Sequence, residues 1–161
     1  MARILFLLGW LIVLGHAKEQ PQQLIDDFSP SLGLHVTWPS KERALLGNTL
    51  NPKDLHHEPS IALHDMQASS PELFTSDVTY VVMSYKPPGP PEKTGEHRYV
   101  FLAFVPSNGT TDKLHLSKPS DRKHWGYDTE KNKTKGVREW AEENGLAPVG
   151  ANFIYAKHKK Q

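Results

Sequence analysis

Apolar positions fall into one long block near the start and several short alternating stretches beyond it. Residues 4–14 form an apolar run behind Arg3. Farther on, Leu34, Val36 and Trp38 alternate with His35 and Thr37, the period of a half-buried strand, and Pro39 ends it. Ile61 and Leu63 predict a short strand, and the β-branched and aromatic residues at 78–83 predict an extended segment. Residues 98–105, RYVFLAFV, are the most apolar stretch after the first block and read as a strand buried on both faces. Val137, Trp140 and Ala141 stand at helix spacing, Gly145 is placed to cap that helix, and Pro148 follows. A last strand is predicted at 149–156, ahead of a basic tail. Residues 18–32 read as a polar arm, 47–59 as turns, 64–72 as a loop, and 106–135 as a long Lys-rich connection. Strands outnumber helices and do not alternate with them, so the pattern predicts a mainly β domain with a helix or two packed on it.

Composition narrows the class. Lys+Arg number 19 and Asp+Glu 18, a balance that argues against a protein that coats nucleic acid or an anionic membrane. No cysteine is present, which excludes disulfides, thiolate-bound zinc, iron–sulfur clusters and a thiol nucleophile. Thirteen prolines, all beyond residue 17, argue against a helical bundle. The first block is shorter than the ~20 residues that span a bilayer, and Lys18, Glu19 and Gln20 follow it directly. With Arg3 in front and small Gly15 and Ala17 behind, residues 1–17 read as a secretory signal peptide cleaved after Ala17. Residues 18–161 are then a single exported domain. The sequons at Asn108 and Asn132 agree with a glycosylated, extracellular product.

The segment with most chemical content is 86–99. Four prolines and two glycines in 86–95 make a stiff loop that can be neither helix nor inner strand. It leads into His97 and Tyr99, which share one face of the following strand while Arg98 takes the other. An imidazole and a phenol can both donate to an anion, and Gly89 leaves the backbone approachable. The alternative reading is a surface loop feeding a core strand, with Tyr99 as a packed aromatic. His56, His57, Glu58, His64 and Asp65 form a second cluster. Adjacent His56 and His57 point apart if extended, so a solvated loop is the expectation rather than a metal site. Ser69, Ser70 and Ser84 lie in no G-x-S-x-G elbow, and no P-loop, G-x-G-x-x-G or H-E-x-x-H occurs. No metal, cofactor or catalytic residue is expected.

Tyr85, Gly89-Pro90-Pro91, Thr94-Gly95 and the run His97-Arg98-Tyr99-Val100-Phe101-Leu102 resemble the second signature of the phosphatidylethanolamine-binding protein family. That family includes Raf-kinase-inhibitor proteins and carboxypeptidase inhibitors. Asp27-Phe28 through Trp38 with Gly47-Asn48-Thr49-Leu50 and Pro52 is similar to its opening strands. Ser120-Asp121-Arg122 and the stretch from Val137 to Phe153 are similar to its closing helix and strand, in a form like that of secreted fungal members. The resemblance implies a central antiparallel sheet, a smaller sheet packed on it and a peripheral helix near 136–145. It also implies a ligand pocket holding Gly89, Pro90, His97 and Tyr99. The family's first signature, Asp-Pro-Asp-Ala-Pro followed by His-Trp, supplies that pocket's carboxylate and a second histidine. It has no counterpart between Leu63 and Tyr85, where His64-Asp65 matches His-Trp poorly. The chain therefore looks like a family member lacking a central segment. The further C-terminal helix of some members is not expected here.

Three functions follow from the resemblance. The first is a monomeric binding protein for a phospholipid head group or another phosphate-like anion, weakened by the missing segment. The second is an inhibitor of a serine carboxypeptidase that acts by protein–protein contact. The third is a shortened product with no retained activity.

Overall fold

The computed structural model describes residues 5–7, 29–66, 73–74, 84–110, 112–117 and 137–160. The strands are β1 (Leu5–Leu7), β2 (Leu32–Thr37), β3 (Asn48–Thr49), β4 (Ser60–Asp65), β5 (Leu73–Phe74), β6 (Glu96–Pro106) and β7 (Leu146–Lys157). Among the described residues, the helix α1 (Val137–Glu143) and the 3-10 turn Pro52–Leu55 complete the regular structure. The expected segment at 78–83, most of the 18–32 arm and residues 118–136 with Asn132 lie outside the described residues. So does most of the expected signal peptide, of which Leu5–Leu7 pairs antiparallel with β6, Leu5 opposite Phe104.

The long antiparallel pair β6–β7 is the spine, running from Glu96 opposite Lys157 to Pro106 opposite Leu146. The sheet order is β1-β6-β7-β2-β4-β5, with β3 also on β7. The mainly β fold with one peripheral helix is as expected. The sheet is mixed, however, because β2 and β3 both run parallel to β7, and all the described strands belong to it. β2 pairs with β7 through Leu32 and Gly33. Gly47 N–H then donates to the Phe153 carbonyl at 2.9 Å, and β3 takes over opposite Ile154 and Tyr155. The turns expected over 47–59 thus contain a short strand and a 3-10 turn. Asn51 caps that turn by accepting from Lys53 N–H at 3.2 Å, and Pro52 begins it where no N–H is required.

β6 corrects the reading of a strand buried on both faces. His97, Tyr99, Phe101 and Ala103 are buried, while Arg98, Val100 and Leu102 are half-buried. Apolar Val100 and Leu102 on the outer face concealed the alternation in the sequence. The first face joins Leu34, Val36, Trp38, Leu63, Ile154 and Ala156 in the main core. The register shifts between Ala103 and Phe104, so that Phe104 pairs with Pro148 and Val149 is the extra residue. Phe104 and Leu102 pack instead in a second cluster with Val137, Trp140 and Ala141 of α1. Trp140 meets Phe104 edge-on at 6.3 Å, and its indole N–H donates to the Ser117 carbonyl at 3.0 Å. A seven-residue helix is too short to persist alone, so this packing holds it. Gly145, at φ +62°, ends it as the sequence predicted.

Candidate functional site

The Pro-rich loop closes over the start of β6. Pro88 and Pro90 are buried, whereas Gly89 and Pro91 face solvent. Lys93 and Gly95, both at positive φ, turn the chain into the strand. The Thr94 hydroxyl donates to the Pro91 carbonyl at 2.9 Å and lies 2.6 Å from His97 Nε2. With its own proton given to Pro91, that hydroxyl can only accept from His97. This assigns the imidazole proton to Nε2 and leaves Nδ1 as a bare acceptor. Nδ1 is buried and makes no hydrogen bond within the protein.

Strand alternation brings His97 and Tyr99 to one side, as expected, and sends Arg98 to the other. There its guanidinium stands 5.9 Å from the centre of the Tyr155 ring. His97 is 2% and Tyr99 3% exposed, so the side they share is sealed by the loop rather than open as a concavity. Tyr99 belongs to the main core. Burial pushes its phenol up to about 12, partly opposed by a hydrogen bond from the backbone of Gly89. A Cβ at Gly89 would meet nothing, so the backbone there is open toward solvent. Behind the site, the Trp38 indole N–H donates to the Tyr85 hydroxyl at 3.0 Å, which in turn donates to the Leu55 carbonyl at 2.8 Å. That relay anchors the root of the loop to the 3-10 turn. At its tip, Glu92 pairs with Lys160 at 3.2 Å and His158 at 3.9 Å, both solvent-exposed contacts of small energetic weight.

Burial pushes the His97 imidazole below its ordinary 6.5, partly countered by the backbone of Thr94. His35 is lowered as well, first by burial and then by nearby His64 and Arg43. Both groups stay neutral in the folded chain at pH values where the unfolded chain is already protonated. Stability is therefore undiminished above about pH 6.5 and declines as the pH falls below it, levelling off beneath the folded pKa values. Urea titrations from pH 7.5 to 5 are expected to show that decline, and His97→Gln is expected to shrink it. A flat profile in the parent protein would refute the effect.

The second histidine cluster does not converge. His56, His57 and Glu58 are exposed, and among the described residues no three His, Cys, Asp or Glu side chains could share a metal. What the sequence reading missed is a His35–His64 pair, rings edge-on at 4.6 Å. β2–β4 pairing puts Gly33 opposite His64, and a Cβ at Gly33 would overlap the imidazole. The glycine inside the strand was the available signal. His115 is exposed and lines an open groove of about 500 Å3 with Leu114, Leu116, Ser117, Glu143 and Asn144. Asn108 is exposed in a turn where its Oδ1 accepts from Thr110 N–H at 3.0 Å. Ser69, Ser70, His124 and Trp125 lie outside the described residues.

Among the described residues, a mixed sheet with one short helix and a proline-walled loop over a buried His–Tyr pair defines a small, mainly β domain. A model of the phosphatidylethanolamine-binding protein family matches residues 46–154, and the chain belongs to that family. It is 38% identical to the carboxypeptidase Y inhibitor of Saccharomyces cerevisiae over 102 residues, covering 61% of this chain and 44% of the inhibitor. An uncharacterized protein of the same yeast is 37% identical over 75 residues, covering 47% of this chain and 35% of its own length. The chain thus spans less than half the length of the curated relatives it matches. The crystal structure of carboxypeptidase Y inhibitor complexed with its cognate proteinase superposes with a TM-score of 0.63 at 26% identity, over 82% of this chain and 86% of that one. A phosphatidylethanolamine-binding protein from Plasmodium falciparum shares the fold, with a TM-score of 0.57 at 14% identity over 86% and 92% of the two chains. No helix among the described residues is long and apolar enough to cross a membrane.

Proposed function

We propose that the chain inhibits a serine carboxypeptidase by surface contact. The observation that carries this reading is the 38% identity to carboxypeptidase Y inhibitor, joined to the fold shared with that inhibitor in its proteinase complex. The purified chain is expected to slow hydrolysis of a blocked dipeptide by yeast carboxypeptidase Y in a saturable, dose-dependent way. No inhibition at micromolar chain would overturn the reading.

A second reading, head-group binding at Gly89, Pro90, His97 and Tyr99, is favoured by one feature. His97 Nδ1 is a buried acceptor without a protein donor, and a phosphate monoester hydroxyl or an ammonium could supply one. A ligand would reach it by displacing the loop at the open backbone of Gly89.

The proposal extends to export. Residues 1–17 act as a signal peptide, the product begins at Lys18, and Asn108 and Asn132 carry glycans. Cleavage would remove β1 and bare the Leu102–Phe104 edge of β6. N-terminal sequencing of material from the medium is expected to start at Lys18, and an intact Met1 would refute it.

A further inference from the structure

The loop between β2 and β3 is both strained and tightly held. Lys41 and Leu46 have φ of 72° and 51°, and Gly47 follows at 113°. Trp38 and Lys41 close a turn by Lys41 N–H donating to the Trp38 carbonyl at 2.8 Å and Trp38 N–H to the Glu42 carbonyl at 2.9 Å. Leu45 N–H donates to Asn48 Oδ1 at 2.7 Å, and Leu46 N–H to Asn152 Oδ1 at 3.0 Å. Gly47 lies flat on Phe153, where a Cβ would come within 2.7 Å of the ring. Leucine is poorly suited to positive φ, where asparagine or glycine is favoured. Yet this ordered loop returns no burial for its two leucines. Leu45 is 62% and Leu46 67% exposed. Gly47, next in the chain, meets the half-buried Phe153–Tyr155 pair, whose rings stand edge-on at 5.9 Å, and exposed Lys41 and Arg43 precede the leucines with half-buried Glu42 between them.

We infer that the Leu45–Leu46 loop, with Phe153 beside it, is the surface that engages the proteinase, and that it fits an apolar recess rimmed by carboxylates. The inference rests on the inhibitor reading above. A loop ordered in advance loses little freedom on docking. Exposed aliphatic side chains on a loop that touches an aromatic ring and carries an arginine have the composition of an interface centre. Lys41 and Arg43 are exposed and outnumber half-buried Glu42, so the loop presents net positive charge to the rim it meets. An internal loop offers no free C-terminus, so an exopeptidase held there has nothing to trim.

The test uses the whole chain with Leu45→Ser and Leu46→Asn, each alone and together, and Arg43→Glu, against yeast carboxypeptidase Y. Asparagine is at ease where Leu46 sits, so the Leu46→Asn chain is expected to melt no lower than its parent. The double variant is expected to lose at least tenfold in inhibition constant, and Arg43→Glu several-fold, more at low salt than at high. Inhibition by the parent with undiminished inhibition by the double variant would overturn this surface and leave the inhibitor reading standing. No inhibition by the parent would end both. Concentration-dependent self-association of the parent, abolished in the double variant, would assign the loop to a second copy of the chain and overturn the inference.

Discussion

Asn152→Ala is expected to lower the unfolding free energy by about 3–5 kcal/mol, the largest effect of any single polar truncation in the main core. Asn152 is 6% exposed on β7 at the point where the two parallel partners of that strand change over. β2 has left β7 after Gly33, and β3 has not yet begun. The side chain fills the gap. Its Nδ2 donates to the Leu34 carbonyl at 2.7 Å and to the Ala44 carbonyl at 3.1 Å. Its Oδ1 accepts from Leu46 N–H at 3.0 Å and from its neighbour Phe153 N–H at 2.8 Å. Alanine would strand backbone groups from β2 and the β2–β3 loop, each costing about 1–3 kcal/mol where water cannot replace the partner. Part of the loop is exposed, so the total falls short of the full sum. For a chain of this size the midpoint of thermal unfolding would drop by about 10 °C. Asn152→Asp keeps the acceptor but turns a carboxylate toward two carbonyls, and is expected to be no milder. Urea unfolding of the three proteins measures this, and a loss under about 1 kcal/mol for Asn152→Ala would mean that water takes over the bridge.

Asn152 also marks what the sequence carried and what it did not. The strand around Leu34, the capped helix at Trp140 and the pairing of His97 with Tyr99 were legible because period and turn chemistry are local properties. The parallel contacts of β7 were not, because nothing local distinguishes an asparagine that bridges two strands from one facing water. The Val149 bulge was hidden for the same reason. It redirects Phe104 into the α1 cluster, which depends on register rather than residue type. At the candidate site, the residues were readable from the Pro-rich motif, but its closure was not. That closure depends on the Thr94 hydroxyl meeting His97 and on Pro88 and Pro90 being buried, which are tertiary contacts.

Phosphoethanolamine is expected to bind this chain no more tightly than about 1 mM, if at all, and a chimera carrying the family's Asp-Pro-Asp-Ala-Pro and His-Trp segment is expected to bind at least a hundredfold more tightly. A pocket of this kind holds a phosphate monoester through several donors, with a carboxylate close by to take up a proton or an amine. This chain offers one donor, the Tyr99 phenol, held neutral far above physiological pH, and one acceptor, the bare His97 Nδ1, which could take a hydrogen bond only from a phosphate hydroxyl or an ammonium. The carboxylate and the second histidine have no counterpart between Leu63 and Tyr85. A hydrogen bond to a charged group contributes about 1.5–3 kcal/mol, and 1.4 kcal/mol is about tenfold in affinity. Two missing contacts therefore give about a hundredfold or more. Sealing adds to the deficit, because any ligand must first displace a loop that buries His97 to 2% exposure. Ligand-observed NMR on the chain and the chimera, each with and without His97→Ala, separates the contributions. The alanine variant should abolish binding in the chimera and change little in the parent, where there is little to lose. Equal affinity in the two parents would show that the absent segment is unnecessary, and would move the anion site away from His97 and Tyr99.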